Sequence, residues 1–134
     1  MARYGMDITV KGSIDEVRSK LEKALKAQGF GILTEIDVRQ TLKNKLGVDF
    51  RPYLILGACN PPLAHQSLEA DPSIGLLLPC NIVLQSVPGG IQVSILDPEV
   101  MFSVVDPEIQ ELMSDLPQQV KSRLQAALAT LAAT

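Results

Sequence analysis

The feature that most constrains the fold is an almost unbroken apolar run, residues 53–58, which leads through Cys59 into Asn60 and two prolines. A short apolar run of this kind, bounded by turn residues, is typical of a buried strand. Asn followed by Pro is a preferred helix start. A second apolar segment, residues 78–83, carries a Pro-Cys-Asn sequence. We therefore predict two neighbouring antiparallel strands joined by a short helix.

The preceding part of the chain repeats a pattern of strand followed by helix. Apolar and polar residues alternate over residues 4–10, which is the period of a half-buried strand. Ser13 with Glu16 three residues later predicts a capped helix start. A second alternation over residues 30–36 predicts another strand, and Asp37 is expected to cap a short helix.

The remaining part predicts two more strands and a long helix. Two alternating runs, residues 81–87 and 91–95, flank a Pro-Gly-Gly turn and predict a hairpin. The apolar stretch 97–105 is expected to be a loop that packs on another part of the protein. An amphipathic stripe then begins at Asp106, and Pro117 is expected to kink or split this helix.

This order predicts an α+β protein of one domain, residues 1–134, with the sequence strand–helix–four strands–helix and short helical insertions. Two amphipathic helices on one face of an antiparallel sheet form a two-layer sandwich. The near-continuous apolar run of the third strand suggests cover on both faces, by a helix on one and by short helices or another subunit on the other. Because 46% of the residues are hydrophobic, we expect an interface of a homo-oligomer to cover the surplus apolar surface.

Composition argues against several classes of function. The net charge is −3, and aromatic residues make up 4% of the chain with no Trp. A nucleic-acid-binding protein is expected to have a basic stripe or aromatic stacking platforms, so neither DNA nor RNA is an expected partner. The sequence has no apolar run of about 20 residues and no apolar leader at its start. We expect a cytoplasmic protein that makes no membrane contact, with both cysteines as thiols.

The central residues carry a family resemblance. Residues 53–61, the pair Ala64 and His65, and residues 77–81 resemble the bacterial and archaeal family called domain of unknown function 302. The resemblance extends from Tyr4 to Leu131. It implies a two-layer fold like one half of the TATA-box-binding protein, and it implies a homodimer. It implies no activity and no catalytic residues.

Three residues could support chemistry, and three interpretations of them remain open. Cys59 precedes the predicted helix start, where the helix dipole favours a thiolate, and Cys80 begins the returning strand. If the two sulfurs meet, they could form a redox pair, or with His65 a metal site of two sulfurs and one nitrogen. Otherwise both cysteines are small buried hydrophobic residues, the usual state of free Cys. No catalytic motif accompanies them.

Asn60 and Asn81 complete the candidate site. They are expected to satisfy backbone groups, and as a polar pair they could also hold a ligand. The leading hypothesis is a non-enzymatic module that binds a small ligand or a protein, with a pocket between the long helix and the sheet near Cys59 and Cys80. The alternative is a thiol- or metal-dependent redox protein that uses Cys59, Cys80 and His65. No cofactor is predicted apart from that metal ion.

Overall fold

A computed structural model describes residues 4–134. Residues 1–3 lie outside the described part. Two predictions include these residues: that the sequence starts without an apolar leader, and that the domain begins at residue 1. Within residues 4–134 the strands and α-helices, together with one 3₁₀ helix (Pro72–Leu77), follow in this order: β1 (Gly5–Val10), α1 (Ile14–Ala27), β2 (Gly31–Asp37), α2 (Val38–Leu46), β3 (Tyr53–Cys59), α3 (Pro61–Ala70), β4 (Cys80–Val87), β5 (Gly90–Leu96), α4 (Pro98–Phe102), α5 (Pro107–Met113) and α6 (Leu116–Ala132).

The strands form one antiparallel sheet in the order β1-β5-β4-β3-β2. The predicted pairing of the third and fourth strands is confirmed, with Leu56 opposite Ile82. Strand β2 lies at the edge of the sheet, and its pairing with β3 shifts at Leu33, between Ile32 and Thr34. This irregularity is a β-bulge, which bends the strand at that point. The predicted α+β fold is confirmed.

One face of the sheet is covered by helices α1 and α6. Side chains at every second strand position point into this layer and are buried, because successive strand residues point to opposite faces. The apolar stripes of the two helices close the layer from the other side. The main core consists of these strand and helix residues: Leu54, Leu56, Ala58, Cys80, Ile82, Leu84, Ile91, Val93 and Ile95 from the strands, and Val17, Leu21, Ala24, Leu25, Leu124, Ala127, Leu128 and Leu131 from the helices.

The predicted helix signals work as expected. The Ser13 hydroxyl accepts the Glu16 backbone N–H at 3.2 Å, which is the N-cap bond of a capping box, and it donates to the Glu16 carboxylate at 3.1 Å. Asp37 caps α2 by accepting the Gln40 backbone N–H at 3.0 Å. The C-terminal helix is split as predicted, because α5 ends before Ser114 and α6 begins with Pro117 in its first turn.

A second, smaller core lies at one end of the sheet, and it corrects one prediction. Residues 98–102 form the short helix α4, so the expectation of a loop over residues 97–105 is wrong for this part. Asp97 accepts the Glu99 backbone N–H at 2.9 Å and so starts the helix with Pro98 next to it. The second core joins residues of α3, the 3₁₀ helix, α4, the turn between α4 and α5, α5 and the start of α6: Leu63, Ile74, Met101, Phe102, Val105, Met113 and Leu116.

The other face of the sheet is different. We call it the second face; it consists of the strand residues that point away from α1 and α6: Gly5, Asp7, Thr9, Gly31, Thr34, Ile36, Tyr53, Ile55, Gly57, Cys59, Asn81, Val83, Gln85, Val87, Gly90, Gln92, Ser94 and Leu96. Most of its apolar side chains are only half-buried, and Ile36 is 50% exposed. Within residues 4–134, no helix is long and apolar enough to cross a membrane.

Candidate functional site

The two cysteines lie on neighbouring strands but on opposite faces of the sheet. Cys80 is directly opposite Ala58, so both belong to the covered face. Cys59 is one residue further along β3 and therefore belongs to the second face. The prediction that the two sulfurs meet at a shared edge is wrong, because the residue paired with Cys80 is Ala58 and not Cys59. A redox pair or a shared metal ion needs both sulfurs on one side.

Neither thiol is activated. Burial raises the pKa of the Cys59 thiol, and burial raises the pKa of the Cys80 thiol from 9.0 to about 12. The expectation of a thiolate at Cys59 is not supported, because the pKa of this thiol is raised by loss of hydration of its charged form, whereas the helix dipole was expected to lower it. Cys80 Sγ lies 3.8 Å from the Leu96 carbonyl oxygen, to which the thiol can donate.

His65 lies on the solvent side of α3. Its side chain is 75% exposed, and Nε2 is 3.3 Å from Glu69 Oε1, one helical turn further on. This distance and exposure are typical of a surface pair between positions i and i+4. Among residues 4–134 no three His, Cys, Asp or Glu side chains are placed to hold a metal ion, so Cys59, His65 and Cys80 do not form the metal site considered above.

The two asparagines are also separated. Asn60 is 5% exposed, and its Oδ1 accepts the Leu63 backbone N–H at 3.3 Å as the cap of α3. Asn81 is exposed on the second face, one residue after Cys80. Asn60 therefore has the structural role that the sequence predicts, and the two side chains do not form a polar pair.

A cavity nevertheless lies where the sequence places a pocket. It is found at the end of the sheet where β3 leaves and β4 begins, between the main core and the second core. Its volume is about 40 Å³. The residues that border it come from the strand ends, α3, α4 and α6: Phe30, Ala58, Cys59, Asn60, Leu63, Ala64, Ser67, Leu78, Pro79, Cys80, Pro98, Met101, Phe102 and Val120.

Local packing fixes the wall of this cavity. Gly57 has no side chain, and a Cβ atom there would lie 2.6 Å from Pro79 Cγ, so the proline ring packs directly on the strand. Pro79 in turn leads into Cys80 at the start of β4. Three of the predicted residues, Cys59, Asn60 and Cys80, border the cavity, whereas His65 and Asn81 do not.

Sequence reasoning missed the side chains that supply most of the apolar wall. Met101 and Phe102 belong to α4, and Val120 belongs to α6. The signal was present in the apolar stretch 97–105, which had to pack on another part of the protein. Its partner could not be identified, since contacts between distant segments follow from the topology and not from local periodicity.

The family profile described as "Domain of unknown function DUF302" matches residues 6–131. The chain belongs to the DUF302 family. The resemblance seen in the sequence is thereby confirmed. A solved structure, the crystal structure of an uncharacterized conserved DUF302 protein from Bacillus stearothermophilus, is similar throughout, with a TM-score of 0.83 and 30% sequence identity. The match covers 96% of this chain and 98% of that DUF302 chain. Comparison with curated proteins gives no match.

Proposed function

We propose that this DUF302 chain is a non-enzymatic module that binds a small, uncharged ligand in the cavity between its two cores. The observation that carries the proposal is the composition of the cavity wall. Of the described residues that border the cavity, none is charged, and those with polar side chains are Asn60, Ser67, Cys80 and Cys59, the last with its side chain on the second face. A few polar groups in an apolar wall are typical of sites for small molecules.

The charge of the ligand follows from the wall. An ion transferred into an apolar cavity loses its hydration, and without a partner of opposite charge no electrostatic attraction compensates for this loss. The Asn60 carboxamide oxygen is held by the cap of α3, and the Ser67 hydroxyl donates to the Leu63 carbonyl oxygen at 3.1 Å. The amide group of Asn60 and the Cys80 thiol are weak or neutral partners, which suit an uncharged ligand.

The volume of the cavity limits the size of the ligand. One water molecule needs about 10–15 Å³ of such volume, so 40 Å³ accommodates roughly three waters or a ligand of a few heavy atoms. A drug-sized or nucleotide-sized molecule needs about 300 Å³ or more. We therefore propose a short molecule, with a single polar group directed toward Asn60 or the Cys80 thiol.

The redox alternative has weaker support. The two cysteines point to opposite faces, and burial raises the pKa of each thiol. A thiol with a raised pKa is a poor nucleophile at neutral pH. Two thiols that stay reduced are usual for a protein of the cytoplasm, and we propose that location.

A titration with 2-propanol, a short uncharged probe, tests the proposal. Methyl signals of Leu63, Met101 and Val120 are followed by NMR. We expect saturable shifts in the wild type and none in Ala64→Leu, which places three extra carbons at the half-buried cavity wall. The control is Ala126→Leu, the same change at a half-buried alanine of α6 outside the cavity wall.

Two results would argue against the proposal. The first is a set of shifts that rises linearly with probe concentration in the wild type, as for nonspecific contact. The second is a saturable shift that is the same in the wild type, Ala64→Leu and Ala126→Leu. The probe would then bind at a site outside the cavity. Thermal unfolding of both variants shows whether each one is folded before the titration is interpreted.

A further inference from the structure

We infer that residues 98–113 form a lid that opens and closes the cavity. The lid consists of α4, α5 and the turn between them; it moves about Ser114 and is fastened by Lys121 of α6. Its role in admitting a ligand rests on the proposed function, since the cavity is the same. Its movement is a property of the chain alone and can be measured without a ligand.

The wall of the cavity leaves little access from solvent. Each described residue that borders it is buried or half-buried. Much of the wall belongs to larger elements, because Ala58 and Cys80 lie on paired strands and α6 is a helix of 17 residues. The exception is α4, a helix of five residues that contributes Pro98, Met101 and Phe102. Movement of α4 is therefore the simplest route by which a ligand enters.

Hydrogen bonds join the two helices of the lid into one body. Gln110 Nε2 on α5 donates to the Val105 carbonyl oxygen at 2.6 Å and to the Ser103 carbonyl oxygen at 3.4 Å, both in the turn after α4. Among residues 4–134, the hydrogen bonds of the lid run within it or to Asp97 and Ser114, the residues that flank it. Its contacts with the rest of the second core are apolar. The two helices are therefore expected to move together.

Lys121 fastens the start of the lid to α6. Its Nζ lies 2.9 Å from Asp97 Oδ2 and 3.7 Å from Glu99 Oε1 in the first turn of α4. Asp97 Oδ1 also accepts the Glu99 backbone N–H at 2.9 Å, so one carboxylate both starts α4 and holds the lysine. The side chains of Lys121 and Asp97 are 24% and 16% exposed, and solvent screens such a pair less than a fully exposed one. Loss of the lysine charge releases this end of the lid.

The other end of the lid has a strained backbone. Ser114, between α5 and α6, has φ 53° and ψ −120°, and Asp115 has φ −91° and ψ 10°. These are the angles of a type II′ turn, whose first central position favours glycine. Among residues 4–134, Ser114 is the one residue other than glycine with a positive φ. A serine held in this conformation stores strain that a change of angle releases, so we place the hinge here.

Alkylation of Cys80 by iodoacetamide, followed by mass spectrometry in a Cys59→Ala background, measures opening of the lid. Cys80 is 6% exposed and borders the cavity, so its thiol reacts when the cavity opens. We expect a labelling rate that hardly changes at low urea, because a local opening exposes little surface. We expect Lys121→Met, which keeps the apolar stem and removes the charge, to label about fivefold faster. We expect Ser114→Gly to label about threefold slower, because glycine removes the strain of the closed state.

Lys43→Met is the matched control, since it removes the ion pair of 3.1 Å between Lys43 and Asp49, which lies outside the lid, and it is expected to leave the rate unchanged. A rate that depends on urea as steeply as global unfolding does would overturn the inference, and so would a Lys121→Met protein that labels no faster than Lys43→Met. Far-UV circular dichroism checks that each variant is folded. If Lys121→Met is not, Glu99→Gln takes its place, because the Glu99 side chain is 53% exposed, and it is expected to label about twofold faster.

The two proposals fail separately. The labelling experiment contains no ligand, so a lid that does not open leaves the 2-propanol titration as the test of the proposed function. A lid that opens in a protein whose cavity takes up no probe would contradict the proposed function alone.

Discussion

The two faces of one strand differ more than its sequence suggests. On β3, Leu54 and Leu56 point toward α1 and α6 and belong to the main core, whereas Tyr53 and Ile55 point the other way and are half-buried. Both sets are apolar, so the run appears uniform in the sequence. The comparison shows that an unbroken apolar run does not have to mean two equally buried faces, because α1 and α6 bury one face of β3 while the other stays half-buried.

The largest expected effect concerns neighbouring residues of β3. Leu56→Ala is expected to reduce the free energy of unfolding by about 3 kcal/mol, because it leaves a cavity in the main core. Ile55→Ala, measured at low protein concentration, is expected to cost about 1 kcal/mol or less, because its side chain already contacts water. Urea denaturation of both variants provides the measurement.

The same two variants can be compared at several protein concentrations. If a second copy covers Ile55, the cost of Ile55→Ala grows as concentration rises, since association stabilises the folded chain. The cost of Leu56→Ala stays constant. Equal costs for the two substitutions at low concentration would contradict the difference between the faces.

A smaller effect is expected in how each cysteine changes the pH dependence of stability at alkaline pH. In the unfolded chain the thiol loses its proton near pH 9.0, whereas burial raises the pKa of Cys80 in the folded chain to about 12. The folded state therefore holds one more proton within this window. The stability that this group contributes is complete below pH 9 and falls by up to about 1.4 kcal/mol per pH unit above it.

The difference between the wild type and Cys80→Ala isolates this contribution, because the other titrating groups are common to both proteins. Unfolding by urea at pH 8, 9, 10 and about 11 gives the slope of stability against pH. Cys59→Ala is the comparison on the second face, and we expect it to change the slope less, since Cys59 is less buried. An equal change of slope in both variants would show that burial of the two thiols is alike.

The smallest of the three effects concerns the two asparagines. Asn60→Ala is expected to cost about 1 kcal/mol, because the first turn of α3 loses the acceptor for the Leu63 N–H. Asn81→Ala removes an exposed side chain from the second face and is expected to change stability by less than about 0.5 kcal/mol. Thermal unfolding at low protein concentration measures both. A larger cost for Asn81→Ala would mean that Asn81 has a partner.

Local chemistry allowed much of the fold to be predicted. Ser13 with Glu16, Asp37 and Asn60 each mark a helix start through a hydrogen bond within three residues, so their effect does not depend on distant parts of the chain. The same holds for Pro117, whose ring excludes a continuous helix. Short-range geometry of this kind can be deduced from the order of residues alone.

The candidate site was harder to predict, because it depends on strand register. A shift of one residue exchanges the two faces of a strand. Cys59 and Cys80 are near each other along the paired strands, yet the partner of Cys80 is Ala58, and this places the sulfurs apart. The apolar wall was missed for a related reason, because Met101 approaches the sheet end only once α4 has folded against α6.

The bulge at Leu33 has a consequence for the behaviour of the protein in concentrated solution. It lies on β2, an edge strand of the sheet. The extra residue disrupts the regular spacing of the backbone N–H and C=O groups, so an approaching extended chain cannot form a continuous ladder of hydrogen bonds with them. Lateral addition of further strands, the first step toward fibrous aggregates, is therefore hindered on that side. Samples are expected to stay clear at concentrations where a smooth outer strand would gel.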